Sequence, residues 1–135
     1  VYVDVDYAYK YVQQDNVGDI ENIKKYVGKN HPHVVNIYDV WVDEDNMLII
    51  RMERLEEIPM DKVSDLEEFD RVRDILWNSQ DDVSNIMNLK STDMEVQRMI
   101  DAIISANEYL GYMDMGFHNL MYDPKTDEYK QIDIF

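Results

Sequence analysis

The chain contains no cysteine. A disulfide framework and a thiolate metal site are therefore excluded, and a reducing compartment fits the composition. No apolar stretch approaches the length of a membrane-spanning helix, and no basic-then-apolar leader is visible. There is no internal repeat and no low-complexity tract. Basic residues are scarce, with 13 Lys and Arg against 29 Asp and Glu, a formal net charge of −16. A surface of that sign repels phosphate backbones and anionic membranes and favours solubility and basic partners. Two readings follow: a soluble acidic protein, or a mimic of nucleic acid whose carboxylates stand in for phosphates.

Against these absences, 45% of the 135 residues are hydrophobic, enough for the core of one compact domain or a trimmed part of one. Val1, Val3 and Val5 alternate with Tyr2, Asp4 and Asp6, and Tyr7, Tyr9 and Tyr11 alternate with Ala8 and Lys10. Period two in aromatic and β-branched residues predicts two short strands with an acidic turn near Asp4 to Asp6. Asp19 to Lys29 reads as a short helix with Ile20, Ile23 and Tyr26 or Val27 on one face and Gly28 near its end. His31-Pro32 breaks that pattern. Val34 to Val42 and Met47 to Met52 then read as strands joined by the polar turn Asp43-Glu44-Asp45-Asn46.

The second half is mostly helical. Ser64 with Glu67 predicts a capping box ahead of Leu66, Phe69, Val72, Ile75 and Leu76. Val83 to Leu89 suggests a shorter helix. Thr92 with Glu95 repeats the capping signature, and Val96, Met99, Ile100, Ile103 and Leu110 mark a long amphipathic helix. Strands over Leu120 to Tyr122 and Tyr129 to Asp133 close the chain around Asp123-Pro124-Lys125-Thr126-Asp127. The order is α+β. It suggests a small β-sheet lobe with one helix over residues 1–55, a hinge over 56–61 and a reduced helical lobe over 62–135 that ends in a β-hairpin.

One arrangement of residues runs through this order. A strand Lys10 precedes a helix Glu21, then come "HPHVVNIYDV", a strand ending "MERLEE", a long helix, "DMGFHNLMYD" and "QIDIF". The series resembles the protein kinase fold over nearly the whole chain. "HPHVVNIYDV" is similar to the H-P-N-I-V-x-L-Y segment after the αC helix. "DMGFHNLMYD" resembles the catalytic loop H-R-D-x-x-x-x-N, and "QIDIF" falls where kinases carry D-F-G. The short chain looks most like minimal Ser/Thr kinase-like proteins encoded by bacteriophages. By that resemblance Asp114 orients the acceptor hydroxyl and takes its proton, and Asn119 and Asp133 hold Mg2+ against the phosphates of ATP. Lys10 contacts the phosphates and Glu21 holds Lys10. Met52 is the gatekeeper, and Glu53, Arg54 and Leu55 form the adenine-binding hinge.

Each of these residues also has an ordinary role. Asp and Asn cap and turn loops. Lys10 can be one residue of an alternating strand, and Glu21 a solvated residue of an acidic helix. His31 and His118 are not read as a metal pair: His31 is expected to cap or to pack beside Pro32, and His118 is a loop residue next to Asn119. Several positions depart from the family. No Gly-rich loop precedes Lys10, so that loop is expected upstream of Val1. Tyr112 and Met113 replace the His and Arg of H-R-D, and Ile134 and Phe135 replace the Phe and Gly of D-F-G.

Three functions follow as expectations. The first is an ATP- and Mg2+-dependent phosphotransferase acting on a protein Ser/Thr hydroxyl. The second is a pseudokinase that holds nucleotide or a protein partner without turnover. The third is an acidic decoy for a basic, nucleic-acid-binding surface. The expected partners are nucleotide and a protein substrate or basic protein, with no direct nucleic acid and no membrane. The expected location is the cytoplasm, that of the host for a viral protein.

Overall fold

The computed structural model describes residues 2–13, 18–79, 83–111 and 116–132. It is mixed α+β, with a small antiparallel sheet, a separate two-stranded hairpin and four helices. The chain divides into two compact units, Val1–His31 with Val35–Leu55, and Pro32–Val34 with Glu56–Phe135. Among the described residues no helix is long and apolar enough to cross a membrane.

The first unit is a four-stranded sheet in the order β1-β2-β4-β3, built from β1 (Tyr2–Val3), β2 (Tyr7–Gln13), β3 (Ile37–Val42) and β4 (Met47–Glu53). The predicted acidic turn joins β1 to β2. Asp4 Oδ1 accepts from the backbone N–H groups of Asp6 (2.9 Å) and Tyr7 (2.7 Å), the self-bonding that makes Asp a turn residue. Between β3 and β4, Asp43 Oδ1 accepts from Asp45 N and Met47 N, each at 2.9 Å, and Asn46 takes φ 61°. Asn tolerates that left-handed conformation better than a branched residue does.

Register sets the faces of this sheet. Ala8, Lys10 and Val12 lie opposite Met52, Ile50 and Leu48. Strand side chains alternate, so these six share one face. Ile50 and Leu48 are completely or almost completely buried there, and α1 (Gly18–Lys24) adds the buried Ile23 to the same unit. The other face is aromatic. Tyr38 meets Tyr7 edge-on at 5.6 Å, and the Arg51 guanidinium sits 5.0 Å over the Tyr7 ring.

Two expectations are corrected here. The helix read to Lys29 ends at Lys24; Tyr26 lies in a turn and Val27 bridges Ile37 in parallel, just before Gly28 at φ 74°. Gly28 N donates to Ile37 O at 3.0 Å, so the chain reverses where a left-handed glycine costs least. The strand read from Val34 begins instead at Ile37. Val34 leaves the sheet and pairs in parallel with Gln131 of the second unit.

The second unit surrounds one apolar cluster. Its helices are α2 (Leu66–Asn78), α3 (Val83–Met87) and α4 (Met94–Leu110), and its hairpin is β5 (Leu120–Asp123) with β6 (Glu128–Gln131). Val96, Met99, Ile100, Ala102, Ile103 and Ala106 put the whole inner face of α4 out of water, each large aliphatic side chain contributing about 1.5–3 kcal/mol. Leu66 departs from its expected core position and is 58% exposed at the first turn of α2. The hairpin is flanked on both edges. Glu56 and Tyr122 exchange backbone hydrogen bonds of 2.8 Å, and Gln131 N donates to His33 O at 2.9 Å.

Both capping boxes are displaced by one residue. The cap of α2 is Asp65, accepting from Glu68 N, and the cap of α4 is Asp93, accepting from Glu95 N and Val96 N. Ser64 is drawn away by Asp93. Its N–H and hydroxyl both donate to Asp93 Oδ2 at 2.9 Å, and Asp65 N adds a third bond at 2.8 Å. Thr92 likewise donates its hydroxyl to Glu68 Oε2 at 2.9 Å. Asp93 thus joins the starts of two helices while only 3% exposed. Burial alone would push its carboxyl up, but the bonds from Asp65, Val96, Ser64 and Glu95 outweigh this and hold it below the ordinary carboxylate range.

Candidate functional site

Two of the predicted site residues, Asp114 and Asn119, follow α4 in the sequence. Helix α4 stops at Gly111, whose φ of 79° suits glycine and whose N–H returns to Asn107 O at 2.8 Å. Asp114 lies outside the described residues, as does Asp133. A 3-10 turn over Phe117–Asn119 then leads into β5. Phe117 is its anchor, buried and stacked on Phe69 of α2 with ring centroids 4.9 Å apart.

That anchor fixes the two residues that follow. His118 folds back over Gly116, where an added Cβ would come within 2.6 Å of the imidazole. Gly116 has an extended backbone open to any residue, so only this close approach calls for glycine. Asn119 Nδ2 lies 3.2 Å from His118 Nε2. The Asn119 carbonyl accepts from Ile132 N at 2.9 Å, closing the base of the hairpin. Ile132 immediately precedes Asp133 in the sequence.

The remaining predicted site residues belong to the first unit. Lys10 is half-buried on β2 and shares a sheet face with Ala8, Ile50 and Met52. Met52 is 7% exposed on β4 and Leu55 is 8% exposed beyond it. Glu53 is tied at both ends of the residue: its Oε1 accepts from Asn36 N at 2.8 Å, and its N–H donates to Asn36 O at 2.9 Å. Arg54 Nη1 donates to Asp4 O at 2.8 Å. Glu21 is exposed on α1 and pairs with Lys24 at 3.7 Å. Ala8, Lys10 and Met52 are thus gathered on one face, and Asn119 is gathered with Ile132. Among the described residues no group of three or more His, Asp or Glu side chains is assembled to hold a metal ion.

Beside the 3-10 turn lies a half-open cleft of about 490 Å3 that sequence reasoning missed. Its floor is Phe69, Phe117 and Ile58, and its walls include Trp77, Arg73 and His118. Trp77 is 62% exposed and meets the His118 ring edge-on at 5.2 Å. The spacing of Phe69, Arg73 and Trp77, four residues apart along α2, was the available signal, since such residues share a helix face.

A second polar cluster braces the hairpin. Lys130 and Asp123 form an ion pair at 3.1 Å with both side chains almost fully buried. Asp123 also accepts from Lys125 N and Thr126 Oγ1, each at 3.0 Å. Burial raises the Asp123 carboxyl, but Lys130 and these bonds prevail and leave it below the ordinary range. Nearby, Tyr129 donates its hydroxyl to Glu95 Oε2 at 2.7 Å, and burial with that bond pushes the phenol well above its usual value.

Comparison with protein-family models finds no matching family, and comparison with curated proteins finds no match.

Proposed function

We propose that this chain is a kinase-like phosphotransferase that moves the γ-phosphoryl group of ATP, with Mg2+, to a Ser or Thr hydroxyl of a protein. The observation that carries the reading is the bond from Ile132 N to Asn119 O. It brings the residue before Asp133 against Asn119, the two positions that the D-x-x-x-x-N and terminal-Asp likeness assigns to metal. The small sheet bearing Lys10, and the helix-rich unit with its hairpin, support the same reading.

Magnesium takes a few hard oxygen donors and keeps several waters. An Asn amide and an Asp carboxylate meet that requirement. Asn119 is partly exposed, its amide nitrogen lies 3.2 Å from His118 Nε2, and its amide oxygen is the hard donor that a magnesium ion would take. The ion's contribution when bound is to neutralise charge on the phosphates. Asp114 takes the proton from the acceptor hydroxyl as that oxygen bonds to the γ-phosphorus and the bond to the ADP oxygen breaks. By the same likeness Lys10 is the residue assigned to contact the phosphates.

Transfer of label from γ-labelled ATP, with and without magnesium, tests the reading. Asp133→Ala and Asn119→Ala are each expected to reduce the rate by about 100-fold or more, the scale for losing one electrostatic contact in a transition state. Unchanged rates in both variants reject the assignment. The substitution of His and Arg by Tyr112 and Met113 favours a second reading, a nucleotide-binding pseudokinase. Its signature is a rise in Tm with ATP and no transfer of label. The decoy reading has less support. Asp4, Asp43, Asp65, Asp93 and Asp123 are engaged in turns, caps and a buried ion pair, not arrayed as phosphate substitutes.

A further inference from the structure

The cleft beside the 3-10 turn combines two surfaces that are rarely useful apart. Its floor of Phe69, Phe117 and Ile58 is apolar. Its rim holds an exposed indole, Trp77, next to the Asp74 carboxylate, which is itself 67% exposed. An apolar floor with an acidic, aromatic rim matches a long aliphatic stem that ends in a cation.

Arg73 also stands on this rim, and its charge must be counted. The guanidinium pairs with Asp70 at 3.1 Å and Asp74 at 3.4 Å, so two carboxylates face one cation. The local balance is negative. The whole unit has the same sign, with 19 acidic side chains against 7 Lys and Arg. A free anion is repelled from this cleft, and a neutral aromatic ligand gains nothing from Asp74.

We propose that the cleft receives a lysine or arginine side chain from a basic segment of another polypeptide. The stem lies on Phe69 and Phe117, and the charged head stacks on Trp77 and pairs with Asp74. Occupancy does not depend on phosphoryl transfer, and the probe below carries no hydroxyl. A failure of binding and a failure of catalysis are therefore separate results.

Titration calorimetry with a capped Gly-Arg-Gly-Arg-Gly peptide, and with the same peptide carrying neutral citrulline at both arginines, reads the site directly. The arginine peptide is expected to bind, and the citrulline peptide to bind at least about tenfold more weakly. Trp77→Ala and Asp74→Asn are each expected to weaken the arginine peptide about tenfold. Both positions are exposed, so these variants keep the fold, which circular dichroism checks. The proposal is overturned by no binding, by equal affinity for the citrulline peptide, or by an unaffected Trp77→Ala or Asp74→Asn.

Discussion

The two units bury different chemistry. In the sheet unit every buried residue among those described is apolar, from Ala8 through Ile50 to Leu55. In the helical unit Asp93, Asp123, Lys130 and Gln131 are all buried as well. Net charge divides the same way. The first unit has 10 acidic against 6 basic side chains, and the second has 19 against 7. A unit whose fully buried residues are all apolar responds mainly to lost volume. A unit that also depends on buried carboxylates responds to protons and to any change that leaves one charge without its partner.

Acid is the strongest way to break this comparison, because it acts on all the carboxylates at once. Asp93, Asp123, Asp127 and Glu68 of the second unit are each held below the ordinary range, against Asp4 alone among the described residues of the first. A carboxyl with a depressed value binds its proton less readily folded than unfolded. Its contribution is complete above the unfolded value of about 4 and is lost as pH falls through the folded value. Protonating exposed carboxylates also relieves self-repulsion, but salt screens that term, whereas buried bonds to Asp93 and Asp123 are screened far less. Pulsed hydrogen exchange between pH 5 and pH 2 is therefore expected to expose α4 amides before β4 amides. Simultaneous loss would mean that the units share one cooperative transition and that the contrast in burial does not govern acid stability.

Removing one partner of the hairpin ion pair is expected to have the next largest effect. Asp123→Ala strands Lys130, whose side chain is 5% exposed, and releases Lys125 N and Thr126 Oγ1. The expected cost is about 3–5 kcal/mol by urea unfolding. Replacing both partners, Asp123→Leu with Lys130→Met, is expected to recover most of that loss, since no buried charge remains. A double variant as unstable as the single one would show that the turn bonds, not the ion pair, carry the hairpin.

The same contrast explains what could be read in the sequence. The turns at Asp4–Asp6 and Asp43–Asn46 were legible because Asp closes a turn by bonding to its own next few N–H groups, and no distant residue is involved. The long helix was legible from Val96 to Leu110 because its stripe repeats on one face. The caps were read one residue early. Ser64-Glu67 and Asp65-Glu68 are equally good local signatures, and the choice is made by Asp93, 29 residues away from Ser64. Val34 failed for the same reason: alternation cannot reveal that its partner is Gln131. The sequence named Lys10 and Asn119 as site candidates, and they lie on β2 of the first unit and at the hairpin base of the second. It could not supply the cleft, which joins one face of α2 to a turn some 40 residues later. His118, read as a loop residue, forms one of its walls, and Trp77 had no assigned place at all.

The smallest effect sharpens the comparison by setting one buried carboxylate against one exposed one. Asp93 and Asp43 are both aspartates that accept backbone N–H groups near the start of an element. Asp93 accepts five hydrogen bonds from Ser64, Asp65, Glu95 and Val96 while 3% exposed. Asp43 accepts from Asp45 and Met47 in an open turn. Asp93→Ala frees donors at the starts of two helices with limited access to water, and an expected cost of about 2–3 kcal/mol follows from a lost cap plus stranded polar groups. Asp43→Ala frees donors that water can reach, so its cost is expected to be about 1 kcal/mol or less. Urea unfolding of the two variants under identical conditions decides the matter. Equal costs would mean that burial adds nothing to the value of these bonds, and the distinction between the two units would reduce to their count of charges.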